Sequence, residues 1–156
     1  MKIMKRIIVL CGVISLLSIL QGCGLSFDKP PFSYTFRQER SNISSIEICT
    51  YEHEYDKDGG TMTPLAEIAT EDIDAFLDDL QALDCYETAL MLDTPMGYGK
   101  IVVKIMYNNG DGEIIGTENV GWLHSDKTLE LSKYYFYPSD LCSVITKYAD
   151  IQILVE

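Results

Sequence analysis

Two histidines are the chain's whole stock of imidazole, and neither stands in a recognised nucleophile motif. His53 lies in Glu52-His53-Glu54, a donor-rich triplet on a stretch that alternates like a strand. Successive strand side chains point to opposite faces, so the imidazole and the two carboxylates diverge instead of converging on one ion. His124 follows Trp122-Leu123 and reads as the surface end of another strand. Asp56, Asp58, Gly59 and Gly60 resemble part of a calcium loop, but an EF-hand needs a third Asp or Asn before its glycine and a bidentate Glu at its end. Leu65 and Ala66 stand where that Glu belongs, so the stretch reads as a plain turn. The oxygens of Asn108 to Glu113 read the same way. No Gly-Xaa-Ser-Xaa-Gly elbow and no Gly-rich phosphate loop occurs. The residues thus name no catalytic group, no metal ligand and no cofactor, and the expectation is a chain that is not an enzyme.

The residue with the clearest chemical assignment is Cys23. Lys2, Lys5 and Arg6 precede an apolar run from Ile7 to Leu20, which is too short for the roughly 20 residues that a membrane-spanning helix requires. The run ends in Leu20-Gln21-Gly22-Cys23, which resembles the lipobox of bacterial lipoproteins. The resemblance implies diacylglyceryl transfer to the Cys23 sulfur and removal of residues 1–22 as a signal peptide. At about 0.8 kcal/mol per buried methylene, two acyl chains anchor a protein stably where one is marginal. The expected membrane contact is therefore the lipid on Cys23. Gly24 replaces the aspartate that in such families often marks inner-membrane retention, so an extracytoplasmic address on the cell membrane or outer membrane is expected.

Three further cysteines lie beyond Cys23: Cys49, Cys85 and Cys142. The odd count and the lack of a CxxC spacing speak against zinc or redox chemistry. A Cys49–Cys85 bridge is the candidate disulfide, because both residues read as lying in strands of one sheet; the alternative is three small buried apolar side chains.

Charge carries the next hint. The full chain has a net charge of −12, from 12 basic and 24 acidic residues, and removal of three signal bases leaves 9 − 24 = −15. Such a chain repels phosphate backbones and anionic headgroups, which excludes nucleic acid as a partner. Between Lys57 and Lys100 there are ten acids and no base. Asp74, Asp78 and Asp79 fall on one side of a candidate helix there, either as a solvated face or as a surface that steers a basic protein. Tyr134 to Tyr137 form an aromatic run whose alternation must turn two rings away from the core. Tyr134 and Tyr135 are the candidate contact residues, since exposed tyrosine gives a large contact area at low entropy cost.

The elements that position these residues follow from periodicity. Residues 23–32 read as a lipidated cysteine and short tether, and 33–156 as one domain. Strands are expected over Ser33–Arg37, Ser45–His53, Met62–Ala69, Asp84–Ala89, Lys100–Tyr107, Glu113–Thr117, Val120–His124 and Lys127–Tyr137, with a last edge strand or tail over Ile151–Val155. Pro64 marks its strand as an edge, and Asn108 to Gly112 as a hairpin turn. One helix opens at Thr70 as its cap and buries Ile73, Phe76, Leu77, Leu80 and Leu83; a second opens at Ser139 and buries Leu141, Val144, Ile145 and Tyr148. The expected class is α+β, two helices packed against a mostly antiparallel sheet.

The aromatic pair Tyr34 and Phe36, Ser45-Ile46-Glu47-Ile48, the Leu80 to Cys85 helix end and the Tyr107 to Ile115 hairpin together resemble small uncharacterised bacterial lipoproteins with a compact extracytoplasmic domain. The resemblance implies no catalytic residues. Three functions remain: a binding or accessory domain for an envelope protein or ligand, an immunity-type inhibitor of a basic toxin or enzyme, and an envelope hydrolase. The first is the preferred expectation.

Overall fold

Strand pairing starts from the alternation of the sequence. In the computed structural model, residues 29–52, 61–87, 100–116 and 120–151 are described. Residues 1–28, 53–60, 88–99, 117–119 and 152–156 lie outside the described residues, and with them the expected signal peptide, Cys23, His53, the expected turn at 56–60 and the expected edge strand or tail beyond Ile151. Among the described residues lie nine strands: β1 (Phe32–Ser33), β2 (Ile43–Glu52), β3 (Thr61–Glu67), β4 (Asp84–Glu87), β5 (Lys100–Tyr107), β6 (Gly112–Gly116), β7 (Val120–Leu123), β8 (Leu129–Leu131) and β9 (Tyr134–Phe136). Two α-helices, α1 (Ile73–Gln81) and α2 (Pro138–Tyr148), accompany two 3-10 turns at Arg40–Asn42 and Thr70–Asp72. The strands form a six-stranded sheet, β3-β2-β5-β6-β7-β8, and a three-stranded one, β1-β4-β9. Every pairing is antiparallel. The α+β class with two helices against an antiparallel sheet stands as expected.

The large sheet is apolar on both faces. Ile46 and Ile48 of β2, with Val103, Ile105 and Ile115 on the neighbouring strands, join Phe76, Leu77 and Leu80 of α1 and Leu141 and Ile145 of α2 in the main core. Each such side chain stabilises by about 1.5–3 kcal/mol relative to exposure. On the opposite face Cys49, Tyr51, Val102 and Ile114 form a second cluster, flanked by Met62, Leu123, Leu129 and Leu131. Pro64 sits in β3 at the sheet's edge, a position that tolerates its missing N–H, and the β2–β3 register shifts at its partner, between Ile48 and Cys49.

Three expectations are corrected. Tyr34 to Arg37 is not a strand: β1 ends at Ser33, and the Arg37 amide is spent on the Glu113 carboxylate. Tyr34 and Phe36 are nonetheless both buried, as alternation required. Thr70 does not cap α1: it begins a 3-10 turn closed by the Asp72 N–H donating to the Ala69 carbonyl at 2.9 Å. The stretch from Lys127 to Tyr137 is two strands, not one, and a break at Ser132 and Lys133 sends β8 to the large sheet and β9 to the small one.

The helices are tied together at Asp79. Its carboxylate accepts from Lys147 Nζ at 2.5 Å and from the Tyr148 hydroxyl at 2.7 Å, while Phe76 meets the Tyr148 ring edge-to-face at 5.5 Å. Pro138 at the first position of α2 suits a site whose N–H has no helical partner.

Candidate functional site

The small sheet divides its residues by side. Cys85 pairs with both Phe32 and Phe136 in register, and all three take part in the main core. Alternation sends the neighbours of Cys85, Asp84 and Tyr86, to the outer side. Tyr86 pairs with Tyr135, and Tyr137, directly after β9, joins them. The Tyr86 and Tyr135 rings stack at 5.5 Å and 27°; Tyr137 meets Tyr86 at 4.7 Å and 66°, and Tyr135 at 6.1 Å and 87°. Offset and edge-to-face pairs of this kind contribute about 0.5–1.5 kcal/mol each beyond burial. Tyr137 is 47% exposed and, with Leu65 of β3 at 44%, is one of two large exposed apolar side chains among the described residues.

Negative charge surrounds these rings. Asp84 is exposed on β4, and Asp140 lies in the first turn of α2. Desolvation first, then the charge of Asp84, the neighbouring Tyr137, Asp140 and Tyr135, push the Tyr86 phenol above its ordinary value. The nearby cations are engaged elsewhere. Glu87 accepts from Lys29 at 2.8 Å and also pairs with Lys133; hydrogen bonds from Lys133 and then Lys29 hold its carboxyl below the usual range.

The residues singled out from the sequence do not share one surface. Tyr135 belongs to the outer tyrosine face, whereas Tyr134 turns inward and meets Phe32 edge-to-face at 5.2 Å. On α1, Asp74 is exposed, Asp78 pairs with Arg40 at 2.7 Å, and Asp79 is committed to α2. Hydrogen bonds from Lys147 and Tyr148 hold the Asp79 carboxyl low. Two of the three helix carboxylates therefore have partners inside the chain. Tyr86 and Tyr137 were missed: Tyr137 stood in the aromatic run, but Tyr86 reaches it only through a strand pairing that spans some fifty residues.

Cys49, Cys85 and Cys142 are free, which corrects the candidate Cys49–Cys85 bridge. The two belong to different sheets; Cys85 is in the main core and Cys49 in the cluster on the far face of the large sheet. Burial pushes the Cys85 thiol up to about 12, and burial followed by the charge of Glu47 raises that of Cys49.

A second polar constellation, also missed, centres on Glu113, which is 0% exposed. It accepts from the Tyr34 hydroxyl at 2.6 Å, from the Arg37 backbone N–H at 2.5 Å and from the Tyr107 hydroxyl. The Arg37 guanidinium lies over the Trp122 ring at 4.7 Å. Burial, then the charge and hydrogen bond of Glu113, raise the Tyr34 phenol; burial, then the hydrogen bond and charge of Glu113, raise that of Tyr107. A buried carboxylate is tolerated when donors surround it, and here three do. The cluster pins the segment from Tyr34 to Arg37 across β6. Its signal was available: Glu113 and Ile115 alternate onto the same side as the core residues of β5.

The oxygen-rich turn at 108–113 and His124 are engaged within the chain. Asp111 accepts from Asn109 Nδ2 at 2.8 Å and from the Ser125 N–H at 3.0 Å, and His124 contacts Glu130 at 3.3 Å. Among the described residues no group of three or more His, Cys, Asp or Glu is placed to hold a metal ion, and no helix is long and apolar enough to cross a membrane. Compared with protein-family models, curated proteins and solved structures, the chain shows no match to any.

Proposed function

We propose that this chain is a lipid-anchored extracytoplasmic binding domain, without catalytic activity, that contacts a protein of the cell envelope through its tyrosine face. The observation that carries the reading is the cluster of Tyr86, Tyr135 and Tyr137, with Tyr137 47% exposed. Rigid aromatic side chains grouped at a surface supply contact area with few torsions to freeze, and tyrosine is enriched at protein interfaces for that reason. The lipobox-like Leu20 to Cys23 supports the anchor and the address. Inhibition of a basic toxin or enzyme is the second reading. It gains support from Asp84 and Asp140 beside the tyrosines, and loses support on α1, where Asp78 and Asp79 already have partners.

The test is site-specific photo-crosslinking in intact cells, with a benzophenone amino acid at position 137 and a control at the equally exposed position 65. A discrete adduct from position 137 and none from position 65 is expected. Equal, diffuse labelling from both positions would remove the tyrosine face as a contact surface.

A further inference from the structure

We infer that the tyrosine face receives a cationic side chain, arginine or lysine, of its protein partner. The inference rests on the binding reading above and adds the partner's chemistry.

The first observation is the rings themselves. Tyr86, Tyr135 and Tyr137 lie within 4.7 to 6.1 Å of one another, packed too closely to enclose a ligand among them. They offer a platform, not a cage. The face of an aromatic ring carries negative potential, and a guanidinium or ammonium within about 6 Å of its centroid is attracted, arginine more often than lysine. This chain already makes such contacts, with Arg37 over Trp122 at 4.7 Å and Lys147 over Tyr148 at 5.0 Å.

The second observation is the charge around the platform. Asp84 lies two residues before Tyr86 on the same side of β4, and Asp140 opens α2 three residues after Tyr137. Neither is paired with a cation among the described residues. The small sheet's own cations, Lys29 and Lys133, are both drawn to Glu87. Among the described residues, a cation seated on the rings would meet two carboxylates without displacing an ion pair. A neutral proline-rich or sugar ligand would use the rings but would leave both carboxylates desolvated without partners, which is costly. An anionic segment, or a second copy of this chain with its net charge of −12, would be repelled.

The experiment titrates the full-length chain in detergent micelles, with ¹³C-labelled tyrosine rings followed by NMR. The probes are a capped hexapeptide alternating glycine and arginine, the same peptide with citrulline for arginine, and a capped glycine-proline hexapeptide. The arginine peptide is expected to shift the rings of Tyr86, Tyr135 and Tyr137. Tyr137→Ala should weaken it about tenfold and Tyr137→Phe hardly at all, while Asp84→Asn and Asp140→Asn should each weaken it about threefold at about 0.15 M salt, where the Debye length is about 8 Å. Asp74→Asn removes the same unit of charge from α1 and should leave affinity within about 1.5-fold if binding is local, because charges beyond a Debye length are largely screened. A loss for Asp74→Asn equal to that for Asp84→Asn would mean diffuse attraction to an acidic chain and would overturn the inference. Equal shifts with the citrulline or proline peptide would overturn the cationic partner while leaving a binding face in place. Ring signals unmoved by all three probes would remove both readings. Far-UV circular dichroism on each variant separates lost binding from lost folding.

Discussion

Glu113 is a carboxylate taken wholly out of water, and its three donors decide what that costs. Glu113→Gln keeps the shape and one acceptor oxygen, but it aims an amide N–H₂ at groups that already donate. A loss of about 1–3 kcal/mol is expected in urea unfolding, with Tyr34→Phe costing about 1–2 kcal/mol. Both changes act on one cluster, so the double variant should lose clearly less than the sum. The phenols add a pH dependence. Tyr34 and Tyr107 have folded-state pKa values raised above the ordinary value of 10.0, by burial foremost and by the Glu113 charge. Below about pH 10 the folded and unfolded chains both keep these protons; above it the unfolded chain releases them while the folded chain does not. The stabilisation is therefore complete below that pH and is lost as pH rises past it. An alkaline unfolding series should show stability falling from about pH 10 upward, less steeply in Tyr34→Phe. A slope unchanged by that substitution would mean that Tyr34 is not the group responsible.

At the scale of elements, the legible features were those governed by local period. Ile46 and Ile48 opposite Cys49 and Tyr51, and the whole of β5, could be read because a half-buried strand must alternate. The edge position of β3 could be read from Pro64. The split between β8 and β9 could not, because the pattern from Lys127 to Tyr137 stays strand-like through the residues where the chain changes sheets. The candidate site was half legible for the same reason: alternation called for two outward aromatics in the Tyr134 run, but Tyr86 enters only through its pairing with Tyr135. Likewise Glu113 finds Tyr34 79 positions away. Two glycines test how tightly the large sheet closes on itself. A Cβ at Gly112 would lie 2.7 Å from the Ile105 carbonyl oxygen, a backbone atom that cannot step aside, and 2.9 Å from the Met106 sulfur. At Gly121 the closest neighbours are side-chain ends, Leu129 Cδ1 at 2.9 Å and Leu131 Cδ2 at 3.3 Å. Gly112→Ala is expected to cost about 1–3 kcal/mol and Gly121→Ala clearly less, read as urea midpoints at constant slope.

For the whole molecule, net charge and the proposed lipid anchor set the terms of any encounter. A net charge of −12 repels anionic headgroups, so the anchor proposed above is a covalent lipid and not headgroup attraction. Cys23→Ala is expected to move the protein from the detergent phase to the aqueous phase in a phase-partition assay and to abolish incorporation of labelled palmitate. Retention in the detergent phase would refute lipidation at that residue.

The unequal hold on the amino-terminal segment gives the molecule a direction of mechanical weakness. Phe32 and Ser33 are joined to the small sheet by two residue pairs, Phe32 with Cys85 and Ser33 with Asp84. Immediately behind them, Tyr34 and Arg37 are fastened to the buried Glu113. A load entering ahead of Lys29 would break the Lys29–Glu87 pair, peel β1 from β4 and then stall at the Glu113 carboxylate. β1 borders the strand that carries Tyr86, so tension would reach the tyrosine face while the large sheet was still unloaded.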